Sequence, residues 1–84
     1  MTEAEAMSLA PGTSLELVEV PDIPNLSQAI PGARCIFEKP GRISKDMIRV
    51  IWDRTDHRHN NQHNGAYFYK RFRIINPTAV YNWL

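Results

Sequence analysis

The sequence predicts an α+β domain: a small three-stranded sheet, one central helix packed on it, and a short C-terminal helix. Three observations lead there. Residues 14–20 (SLELVEV), 33–38 (ARCIFE) and 66–75 (AYFYKRFRII) read as strands, bounded by proline, glycine and asparagine. Residues 43–54 (ISKDMIRVIWDR) place Ile43, Met47, Ile48, Val50, Ile51 and Trp52 on one broad arc at about 100° per residue. Asn76-Pro77 has the form of an N-cap and first helical residue before TAVYNWL.

The elements follow in order. Residues 1–13 read as a flexible acidic arm ending at Pro11-Gly12, in which a helix at 3–9 is marginal alone. Residues 14–84 then form a single small domain. SLELVEV sets Leu15 and Leu17 on one face and Val18 and Val20 on the other. Pro21, Pro24 and Pro31 keep regular structure out of most of 21–32. After ARCIFE, Pro40-Gly41 suits a type II turn with Gly41 at positive φ. The helix is expected over 44–55, with Ser44 as N-cap, Asp46 in its first turn, and Asp46, Asp53 and Asp56 on its polar side. A strand at 47–53 is the alternative, because Ile and Val favour sheets. A polar loop follows, and Asn64-Gly65 sets the turn into the last strand. Phe37, Ile51, Trp52, Phe68 and Phe72 are the expected core anchors.

An 84-residue chain with 43% apolar residues fits one modest core. No apolar run approaches the roughly 20 residues of a membrane helix, and the N-terminal stretch lacks the form of a secretory signal. Cys35 stands alone, so no internal disulfide forms. It reads as a small buried hydrophobe, and a reducing, cytoplasmic setting is expected. The net charge of +1 hides a division. Residues 1–33 carry five carboxylates and no Lys or Arg; residues 34–84 carry all ten Lys and Arg against four carboxylates. A basic body suggests an anionic partner, unless the acidic part folds across it and neutralises it.

The three histidines, His57, His59 and His63, share one stretch, DHRHNNQHNG. With Asp53 or Asp56 their spacing is compatible with metal capture. Yet zinc sites commonly take cysteine thiolates, and the flanking asparagines favour a solvated turn, so no metal or cofactor is assigned. No glycine-rich phosphate loop or catalytic constellation appears, and an enzyme is not expected.

The strongest signal is Tyr67, Tyr69, Arg71 and Arg73, one row of a strand at period two. Lys70, Arg54 and Arg58 widen it. Such a row suits a protein partner or larger complex, since Tyr and Arg dominate interfaces. It also suits DNA or RNA, through stacking and phosphate contacts. The protein-interaction reading leads, with nucleic-acid binding second and no membrane role. If the histidines add charge beside the row, binding to an anionic partner should strengthen from pH 7.5 to 6.

Overall fold

A computed structural model describes residues 1–18, 29–41 and 46–76. Helix α1 (Glu3–Met7) precedes five strands: β1 (Ser14–Leu17), β2 (Arg34–Pro40), β3 (Met47–Trp52), β4 (Gly65–Phe68) and β5 (Phe72–Asn76). They form one antiparallel sheet in the order β4-β3-β2-β1-β5. The predicted three-stranded sheet with a packed central helix is therefore corrected. The expected C-terminal helix lies outside the described residues.

The central segment is a strand because its partners use both of its edges. Met47–Trp52 bonds to β2 on one side and β4 on the other. Its burial alternates: Ile48, Val50 and Trp52 are buried, while Met47, Arg49 and Ile51 are half-buried. The outward row carries two apolar residues, which blurred the alternation into the breadth of a helical arc. The carboxylates assigned to the helix do other work. Asp53 is buried and its Oδ1 accepts from the Thr55 backbone N–H and hydroxyl at 2.9 and 2.6 Å.

The predicted strand 66–75 is two strands. A three-residue 3-10 turn, Tyr69–Arg71, separates β4 from β5, which lie at opposite edges of the sheet. Laid flat, four strand spacings would hold those edges about 19 Å apart. Four Cα steps span at most about 14 Å, and less in a 3-10 turn. The sheet must therefore curl. The aromatic rings record the closure: Trp52 of β3, Tyr67 of β4 and Phe72 of β5 meet with centroids 5.4, 5.9 and 6.4 Å apart. Leu15, Leu17, Cys35, Phe37, Ile48, Val50, Trp52 and Phe72 fill the inside of the curl, with Ala6 of α1 at its margin. Of the five expected anchors, Phe37, Trp52 and Phe72 are buried, whereas Ile51 and Phe68 are half-buried.

Residues 1–13 are tied to this sheet. Thr2 and Glu5 form a reciprocal capping box, so even a five-residue helix has its first donors satisfied. Gly12, at φ +90°, turns the chain into β1 and donates to the Phe37 carbonyl at 2.8 Å. Gly41 is not at positive φ, contrary to the type II turn. It is needed for closeness instead: a Cβ there would lie 2.9 Å from the Met47 carbonyl oxygen. Cys35 is buried, and that burial pushes its thiol far above the ordinary range, which suits a hydrophobe and not a nucleophile.

Candidate functional site

The seven residues singled out from the sequence do not form one row. Tyr67 turns inward: its ring stands edge-on to Trp52, and its hydroxyl donates to the His63 carbonyl at 2.6 Å. It braces the core against the loop, with its ring half-buried. Arg73 pairs with Glu16, its cross-strand neighbour on β1, at 2.7 Å. Here the acidic part of the chain does neutralise the basic part.

Arg54 and Arg58 organise residues 53–64 internally. Arg54 donates to the Gln62 carbonyl at 2.8 Å and to Asn64 Oδ1 at 3.0 Å. Asn64 Oδ1 also accepts from the Trp52 backbone N–H at 2.9 Å, closing the end of β3. Arg58 grips Asp56 with two guanidinium bonds, at 2.9 and 3.0 Å. The Arg34 and Arg58 backbone N–H groups donate to the same carboxylate. Partial burial would raise the Asp56 pKa, but the bonds from Arg58 and Arg34 outweigh it and hold the carboxyl below its ordinary value. A group depressed in the folded state stabilises above its unfolded pKa and ceases to do so as pH falls through the folded one. Asp56→Asn is therefore expected to flatten the loss of stability below about pH 4, measured as urea midpoints against pH. An unchanged acid limb would contradict this account of the pair.

The histidines are dispersed. His59 is buried and its Nδ1 accepts from the Asn61 N–H at 2.8 Å, while His57 and His63 are exposed. Among the described residues no three His, Cys, Asp or Glu side chains come together as metal ligands. The left-handed positions fall on Asn60 and Asn61, not on Asn64-Gly65.

Tyr69, Lys70 and Arg71 do come together, around a residue assigned only to the core. Phe68 sits at the end of β4 with the Lys70 Nζ 5.8 Å and the Arg71 guanidinium 5.0 Å from its ring centroid. The Tyr69 backbone N–H donates to the Asp46 carbonyl at 2.9 Å, and its ring packs against the core. Partial burial, followed by the charges of Glu3 and Asp46, pushes the Tyr69 hydroxyl above its ordinary pKa. Neither Lys70 nor Arg71 has a carboxylate partner among the described residues. Phe68 was missed because strict alternation put it with Phe72. The 3-10 turn breaks that phase, and its residues, Tyr-Lys-Arg, carry none of the usual turn signals.

No helix among the described residues is long and apolar enough to cross a membrane. Comparisons with protein-family models, with curated proteins and with solved structures found no match.

Proposed function

We propose that this chain is a non-enzymatic protein-interaction factor that docks on a larger complex through the open end of β4. One observation carries the reading. Phe68 lies beside two cations that pair with no carboxylate among the described residues, while Arg58 and Arg73 are committed to Asp56 and Glu16. An aromatic ring beside arginine is the composition of an interface centre. The stacking platform that nucleic acid would need has less support, because Tyr67 faces the core.

The test is capture from cell extract with and without nuclease, using the wild type and a chain carrying Arg71→Glu. A stoichiometric protein that persists after nuclease and is lost with Arg71→Glu is the expected result. Loss on nuclease treatment, together with a steep salt dependence, would transfer the function to nucleic-acid binding.

A further inference from the structure

The free edge of β4 has a readable pattern. In an antiparallel ladder, residue pairs alternate between exchanging hydrogen bonds and not doing so. The Tyr69 N–H bonds to the Asp46 carbonyl, and the register runs on through Ile48↔Tyr67 and Val50↔Gly65. Those pairs use the backbone of Gly65 and Tyr67. The N–H and C=O of Ala66 and Phe68 therefore point away from β3. Among the described residues no strand pairs with that side. The Ala66 side chain is exposed and leaves the approach open.

We infer that this edge takes up an extended, acidic segment of a protein partner as an added strand, with Lys70 and Arg71 pairing its carboxylates. The inference rests on the interaction reading above and names its partner's chemistry. Ala66 supplies a donor and an acceptor and Phe68 a further donor, its carbonyl being taken by the Arg71 N–H as the first bond of the 3-10 turn. Main-chain bonds of this kind provide affinity without demanding a particular side chain. Specificity then falls to charge. Lys70 and Arg71 follow the edge directly, and their nearest aromatic contact, Phe68, holds them there without cancelling their charge. A second copy of the same edge fits poorly, because it would bring like cations together; lysine on an edge strand commonly discourages such self-pairing.

The experiment uses the whole chain and two short blocked peptides. One alternates glutamate with valine and threonine; the other has lysine for each glutamate. Amide hydrogen exchange is read by NMR at millimolar peptide. The acidic peptide should slow exchange at Ala66 and Phe68 about tenfold or more, and should leave Tyr67, already bonded to β3, unchanged. The lysine peptide should slow neither Ala66 nor Phe68. Lys70→Glu with Arg71→Glu should abolish the slowing. So should Ala66→Pro, which removes one outward donor and no bond to β3. If Ala66→Pro disturbs folding, judged by its near-UV circular dichroism, the charge reversal decides. Equal slowing by both peptides would overturn the inference. So would slowing that survives the charge reversal, or none with either peptide. Such a failure is separate from that of the interaction reading, which is scored by nuclease-resistant capture.

Discussion

Phe72→Ala should cost about 3–5 kcal/mol of folding stability, the range for emptying a buried aromatic site. Phe72 is fully buried and opens β5 directly after the 3-10 turn. Its ring touches those of Trp52 and Tyr67, which belong to strands at the far side of the sheet order. Removing it leaves a cavity where the curled edges meet, and relaxation there is limited because the short turn fixes both ends. Folded domains hold roughly 0.05–0.15 kcal/mol per residue, so a large part of the total would go. Urea unfolding followed by circular dichroism measures it. A loss below about 1 kcal/mol would mean that the site collapses freely and that the curl does not depend on this ring.

Val50→Asp should abolish cooperative folding, whereas Arg49→Thr, one residue earlier, should change stability by no more than about 1 kcal/mol. Val50 is fully enclosed among the core side chains. Burying a carboxylate there without a partner costs several kcal/mol. Arg49 points to the opposite face and makes a 3.6 Å ion pair with a partly exposed Glu38. Thermal melts of the two variants compare the faces directly. Similar losses at both positions would contradict the strand register.

These two sites also show how much of the fold could be read beforehand. β1 and β2 were legible because proline and glycine bound them and their apolar residues have clear neighbours. β3 was not, because Met47 and Ile51 put apolar side chains on its outward face beside Arg49. A strand paired on both edges can carry such residues, and in sequence they mimic a helix. The β4–β5 break was hidden for a different reason. Phe68 and Phe72 keep the same parity along the chain, yet with the turn between them one is half-buried and the other lies in the core. Of the site, the cations Lys70 and Arg71 were legible and their aromatic partner was not. Arg58 and Arg73 looked like surface charge only because Asp56 was placed on the polar side of a helix and Glu16 on a strand whose pairing with residues 72–76 was not legible.

The pairing of β1 with β5 has a bearing on how the chain is made. Glu16 and Arg73, bonded across that pair, are 57 positions apart. During synthesis at about 5–20 residues per second, β1 waits several seconds with one side unpaired before β5 has been polymerised. β2 can cover the other side much earlier. Throughout that interval the nascent chain exposes Leu15 and Leu17 beside an open strand edge. Substitutions that make β1 less apolar should show their largest effect in yield during expression, and a smaller one in the stability of the finished protein.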